Sequence, residues 1–182
     1  MTDLPKARIA TASLAGCFGC HMALLDIDER LIELMKLVDF SRSPLTDIKT
    51  FDKRCDIGII EGGCCNEENV HVLQDFRRNC DVLIAIGQCA IMGGLPAMRN
   101  AIMHSDEPLR ECLEEAFITG RSIRNTTHNI PNDPALPLLL DEVYACSEVV
   151  EIDYNIPGCA PTGDVIFETL SRLLAGKFRG FE

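Results

Sequence analysis

The sequence predicts an α/β domain built on a parallel sheet, and three observations predict it. Short aliphatic runs, "ARIATASL", "CDIGIIEGG" and "CDVLIAIGQC", recur along the chain, each followed by a loop and a segment of helical character. The last of them is aliphatic almost without interruption, as in a strand covered on both faces. The 182 residues are 47% hydrophobic, enough for a single domain with a sizeable core.

Taken in order, "ARIATASL" predicts the first strand. "HMALLDIDERLIELMKLVDF" predicts a helix after it, with Leu24, Ile27, Leu31, Leu34 or Met35, and Val38 on the apolar face. "CDIGIIEGG" predicts the second strand, and "NEENVHVLQDFRRN" a helix capped by Asn66, acidic in its first turn and closed by Arg77 and Arg78. The third strand, "CDVLIAIGQC", leads to a helix over "GGLPAMRNAIM". A further strand in "SEVVEIDYNIPG" precedes a helix over "TGDVIFETLSRLLAGK", capped by Thr162, with Val165, Ile166, Leu170, Leu173 and Leu174 on its apolar face. Residues 105–146 break the rhythm. There "EPLRECLEEAFITGRSIRN" predicts a helix, and "THNIPNDPALPLLLDEVYA", with three prolines, a loop holding a short helix; the stretch reads as an insertion that faces a partner or covers the site. Strands alternating with helices imply right-handed crossovers and a flavodoxin-like, three-layer domain over residues 1–182.

A net charge of -11 with scattered basic residues argues against nucleic acid or an anionic membrane surface as partner. No apolar run approaches the roughly 20 residues that span a bilayer. The start "MTDLPKARIATASL" lacks the apolar core of an export signal, so the expected location is the cytoplasm.

Ten cysteines are many for such a chain, and in a reducing compartment metal binding is their more natural use than a disulfide framework. Open parallel sheets bind ligands beyond the carboxyl ends of their strands. Cys17 and Cys20 follow the first strand, Cys64 and Cys65 the second, Cys89 ends the third and Cys159 follows the last. Cys55 and Cys80 begin strands and belong to the opposite rim, whereas Cys112 and Cys146 fall in the insertion. Cys17, Cys20, Cys89 and Cys159 give the spacing C-x2-C-x68-C-x69-C. Four thiolates from three loops suit a [4Fe-4S] cluster, with Gly16, Gly19, Gly87 and Gly158 letting backbone approach the sulfurs. Spacing alone leaves structural zinc, a thioredoxin-like redox pair and buried thiols as alternatives.

The motifs "GCFGC", "IIEGG", "IGQCAIMGGLPAMRN" and "NIPGCAP", in this order and spacing, resemble the flavodoxin-like domain of the [NiFe]-hydrogenase small subunit. The resemblance covers nearly the whole chain. It implies that Cys17, Cys20, Cys89 and Cys159 ligate one [4Fe-4S] cluster that takes electrons from a Ni-Fe centre on a separate large subunit. The short chain resembles most the soluble NAD-reducing branch, whose diaphorase partners carry further iron–sulfur clusters, FMN and the NAD site. That implies a cytoplasmic hetero-oligomeric oxidoreductase in which this chain is inactive alone. The respiratory branch commonly has Thr where Phe18 stands, and Phe18 offers no hydroxyl for proton movement. The related small subunit of respiratory complex I has adjacent cysteines where Cys17 and Cys20 are split, while the adjacent pair here, Cys64 and Cys65, follows the second strand.

Four residues near the motif cysteines stand as outer candidates. Glu61 either hydrogen-bonds at the large-subunit interface, or helps position backbone near the cluster, or caps the turn that follows it. His21 either donates toward the cluster or sits partly exposed at the helix start. Cys64 and Cys65 read first as packing residues. A different class of function, a stand-alone flavodoxin-like FMN carrier, would want Ser and Thr in the first loop to hold phosphate, and residues 14–20 supply neither.

Overall fold

The computed structural model describes residues 6–102 and 108–178. Strand β1 (Ala7–Ser13) runs into the cysteine loop, then α1 (Gly19–Leu25), α2 (Arg30–Leu37) and β2 (Val38–Phe40). After an irregular stretch come β3 (Cys55–Glu61), β4 (Cys64–Asn66), α3 (Glu67–Asn79), β5 (Cys80–Ile86), α4 (Gly87–Met92) and α5 (Met98–Ile102). Helix α6 (Pro108–Glu114) continues as a π-helical turn (Glu115–Thr119), followed by β6 (Leu139–Tyr144), α7 (Cys146–Val149), β7 (Tyr154–Ile156) and α8 (Gly163–Phe178).

Five strands form one sheet in the order β2-β1-β3-β5-β7, with every neighbouring pair parallel. Counted within the sheet alone, this is the flavodoxin-like order. Side chains alternate across each strand, so each face takes every second residue. Ile9, Ile57, Ile59, Ile84, Ile86 and Ile156 meet Leu24, Leu34, Ile166, Leu170 and Leu174 of α1, α2 and α8 on one face. Ala10, Ala12, Ile60, Leu83 and Ala85 meet Leu73 and Phe76 of α3 and Ala90 of α4 on the other. Asn66 caps α3 as expected, its Oδ1 accepting from the Asn69 N–H at 2.8 Å.

Several expectations need correction. The long helix over residues 21–40 is two helices: Asp28 takes a left-handed conformation (φ 54), which aspartate tolerates because its short side chain bonds locally, and the chain restarts at Arg30. Val38 then begins an edge strand, not a last helical turn, though it is fully buried as expected. On α8, Ile166, Leu170 and Leu174 are buried, but Val165 is 44% exposed, one step around the helix from the buried stripe. Within "GGLPAMRNAIM" only the stretch from Met98 is helical, because Gly93 and Gly94 are left-handed and end α4. The proline-bearing stretch holds no helix but β6, which pairs antiparallel with β4 through Cys64↔Tyr144 and Asn66↔Leu139. Finally, "SEVVEIDYNIPG" is divided between α7 and the three-residue β7. Residues 103–107, where the expected insertion begins, lie outside the described residues, as do the first five and the last four positions.

Candidate metal centre

The sheet order reverses between β1 and β3, and the loops leaving these two strands are stitched together there. Leu14 N–H donates to the Glu61 carbonyl at 2.7 Å, and Ala15 and Gly63 exchange backbone hydrogen bonds at 3.0 and 2.9 Å. Gly16 serves this junction and not a sulfur, since a Cβ on it would lie 3.3 Å from the Gly62 Cα. Such a switch point is where open α/β sheets bind ligands. Cys17 follows directly, Cys20 stands in the first turn of α1, Cys89 in α4 after β5, and Cys159 in the loop after β7.

Cys20 and Cys89 lie close enough to the other motif thiols to be perturbed by them. Burial pushes Cys20 up to about 12, with Glu61, Cys17, Cys89 and Cys159 adding to the rise. Cys89 is raised by burial and then by Cys159 and Cys17, against a backbone hydrogen bond at Leu95 that lowers it. Four converging thiolates therefore repel one another until cations stand between them. Among the described residues no three Cys, His or carboxylate donors converge on a point that suits one metal ion.

Backbone geometry fits the same group. Gly87 has φ +82, and a Cβ there would stand 2.4 Å from the Cys20 sulfur, so only glycine lets β5 turn past that thiol. The Gly19 N–H donates to Cys17 Sγ at 3.4 Å. Gln88 N–H donates to the Gly158 carbonyl at 3.0 Å, joining the Cys89 and Cys159 loops. Gly158 itself packs on Pro161, and Gly94, which the motifs did not single out, makes room for Cys89.

Glu61 holds backbone beside the motif cysteines, one of its expected roles, whereas His21 matches neither of its expectations. Phe18, left-handed at φ 66, precedes α1 and provides no side-chain cap. Glu61 takes that role from β3: its carboxylate accepts from Cys20 N–H at 3.3 Å and His21 N–H at 3.1 Å. It is 2% exposed, so it faces inward, away from any partner surface, and caps α1 instead of its own following turn. His21 is equally buried, not partly exposed. Its Nδ1 lies 2.5 Å from Glu61 Oε2 and its Nε2 3.0 Å from Thr11 Oγ1, which lies 2.7 Å from Ser43 Oγ. Phe18 stacks on the imidazole, centroids 4.6 Å apart. Burial raises the Glu61 carboxyl, but the hydrogen bonds from His21 and Cys20 outweigh it and hold it below the usual carboxylate range. Thr11 and Ser43 were not among the sequence candidates; a threonine inside the aliphatic first strand was the available signal.

The remaining thiols sit elsewhere. Cys64 hydrogen-bonds with Cys146, both fully buried, and Cys65 donates to Asn69 Oδ1 at 3.3 Å. Cys55 and Cys80 lie at the amino-terminal rim, as their positions at strand starts predict. Among the described residues no helix is long and apolar enough to cross a membrane.

Residues 17–173 match the protein family described as "NADH ubiquinone oxidoreductase, 20 Kd subunit". The δ subunit of the NAD-reducing hydrogenase HoxS from Cupriavidus necator is 46% identical over 173 residues, covering 94% of this chain and 80% of that protein. The F420-non-reducing hydrogenase of Methanothermobacter thermautotrophicus has a matching component that is 36% identical over 94% of this chain, which spans only 54% of that longer protein. A crystal structure of an NAD+-reducing [NiFe]-hydrogenase in the H2-reduced state contains a chain 51% identical, with a TM-score of 0.87, covering 98% of this chain and 96% of that one. Matched from the first motif cysteine into the last helix, this chain belongs to the 20 kDa subunit family of NADH ubiquinone oxidoreductase, in its hydrogenase small-subunit branch.

Proposed function

We propose that this chain is the electron-transferring small subunit of a cytoplasmic NAD-reducing [NiFe]-hydrogenase, with Cys17, Cys20, Cys89 and Cys159 holding one [4Fe-4S] cluster. The observation that carries the reading is the convergence of these four thiols, from three loops, on the switch point of the sheet. When bound, such a cluster supplies one-electron storage at a site within reach of a partner surface. The chain's own residues set the surroundings. Cys20 is buried while Cys17 and Cys159 are exposed, so the site has a covered side facing the core and an open side facing outward. The large subunit, with its Ni-Fe centre, belongs on the open side, and diaphorase subunits with FMN and the NAD site receive the electrons. Glu61 fixes the Cys17–Cys20 loop by occupying the N–H groups at the start of α1, and the isolated chain has no hydrogenase activity of its own.

The test is iron, acid-labile sulfide and nickel analysis on the anaerobically purified assembly, with each component then separated. About four irons and four sulfides on this chain, with nickel on a larger partner, support the reading. Loss of the iron together with hydrogen-dependent NAD reduction in Cys89→Ser supports the ligand assignment, and unchanged iron in that variant overturns it. Zinc, or flavin without sulfide, on this chain overturns the relay as a whole.

A further inference from the structure

A second pair of thiols stands at the other end of the two central strands. Cys55 opens β3 and Cys80 opens β5, directly opposite each other in the register. Adjacent strands lie about 4.8 Å apart, inside the roughly 4.4–6.8 Å between Cα atoms that a disulfide spans. Both cysteines are free and almost fully buried, and the Cys55 thiol donates to the Lys53 carbonyl at 3.9 Å. Gly58 leaves room for the Cys80 sulfur, which would stand 2.8 Å from a Cβ at that position.

The surroundings of the two sulfurs differ. Cys55 is also met by the Ser41 hydroxyl and the Arg8 guanidinium. One Arg8 nitrogen is engaged by Ser41 at 3.1 Å and by Asp52, but among the described residues its Nε is buried with no hydrogen-bond partner. A thiolate on Cys55 would give the Arg8 guanidinium an anionic neighbour. Hydrogen bonding from Cys80 lowers the Cys55 thiol, burial opposes this, and Ser41 and Arg8 add to the lowering, so Cys55 sits below the usual thiol range. Cys80, bonded to Cys55 and buried, is pushed far above it. A thiol beside a cationic group, with a second thiol in reach, has the charge arrangement of a reactive cysteine and its resolving cysteine, and reaction of this buried pair takes place through local opening at its rim of the sheet. Residues 52–54, which lead directly into Cys55, are exposed, so the chain reaches solvent beside the pair.

We propose that Cys55 and Cys80 form an oxidisable dithiol that reacts with hydroperoxides, separate from the cluster cysteines at the opposite rim. The Cys55 thiolate attacks one peroxide oxygen, the O–O bond breaks, and the departing hydroxide (or alkoxide) takes a proton to leave as water or an alcohol. Cys55 is then a sulfenic acid. The Cys80 sulfur attacks it, the S–O bond breaks as the S–S bond forms, and the hydroxide leaves with the Cys80 proton as water. Both thiols are oxidised by one electron each and the peroxide is reduced by two; an external dithiol reverses the change by thiol–disulfide exchange.

The experiment uses the assembled protein with its partner subunits, treated anaerobically with less than one equivalent of hydrogen peroxide per chain, then alkylated, digested and mapped by mass spectrometry. The expected result is a Cys55–Cys80 linked peptide that disappears after dithiothreitol. In Cys80→Ala, dimedone captures a sulfenic acid on Cys55 and the linkage is lost; Cys55→Ala loses both products; Arg8→Met reduces the trapped adduct. Linkage of Cys55 to another cysteine, undiminished sulfenic acid in Cys55→Ala, or oxidation confined to Cys17, Cys20, Cys89 and Cys159 overturns the proposal. If a variant fails to fold, the linkage map of the unaltered protein decides alone. The Cys55–Cys80 linkage is read on cysteines other than the four assigned to the cluster.

Discussion

Glu61 joins three parts of the chain that are far apart in sequence: its own strand, the first turn of α1 and, through His21, Thr11 of β1. Removing it strands two backbone donors and an imidazole in the interior. Glu61→Ala should therefore lower stability by about 3 kcal/mol, read as a shift in the urea midpoint, while Glu61→Gln, which keeps one acceptor, should cost less. Gly87 is the second residue with a sharp expectation. Gly87→Ala adds about 1–2 kcal/mol of left-handed strain and a clash with the Cys20 sulfur, so iron per chain should fall in the variant even where circular dichroism stays native. The cysteines, Glu61 and Gly87 were legible because each sits in a short motif. The Glu61–His21–Thr11–Ser43 chain was not, because its members come from four separate segments and only folding brings them into contact.

The elements show how local preference and tertiary context divide the work. The periodicity of residues 24–38 is real, with Leu24, Ile27, Leu34 and Val38 all buried, yet it is delivered by a helix, a turn, a helix and a strand. Asp28 carries the turn. Asp28→Gly should be neutral or slightly stabilising and Asp28→Val should cost about 1–2 kcal/mol, a pair of thermal midpoints that a continuous helix would reverse. Strand β6 escaped notice because "LLDEVY" follows three prolines and pairs with a three-residue partner far up the chain. Strand β7 is as short, and Asp153 anchors its start: it accepts from Arg77 at 2.6 Å and from the Leu83 N–H at 2.7 Å. Burial raises the Asp153 carboxyl, but Arg77 and Leu83 outweigh it and hold it below its usual range. A depressed carboxylate adds stability above its ordinary pKa of about 4, and that stability is lost as the pH falls through the depressed value. Asp153→Asn should therefore cost about 1 kcal/mol at neutral pH, with the gap to the unaltered protein closing in an acid titration of the urea midpoint.

At the scale of the whole molecule, the parallel sheet places the two kinds of thiol at opposite rims, and that division was legible from which cysteines begin strands and which follow them. The exposed Cys17 and Cys159 leave the open side of the site to whatever covers it. A loaded chain stripped of its partners should accordingly lose visible absorbance to an iron chelator faster than the intact assembly, and equal rates would show that the partner gives no cover. The scattered spacing of the proposed ligands also sets a timetable. A chain grows at roughly 5–20 residues per second, so Cys159 leaves the ribosome on the order of ten seconds after Cys20. During that interval β1, β3 and β5 can pair, but the last thiol and the β7 edge that presents it do not yet exist. On the proposed ligand assignment, cluster insertion is thereby deferred until Cys159 has been made, and a product terminated before it lacks the final ligand, so such chains make poor competitors for the cell's supply of iron and sulfide.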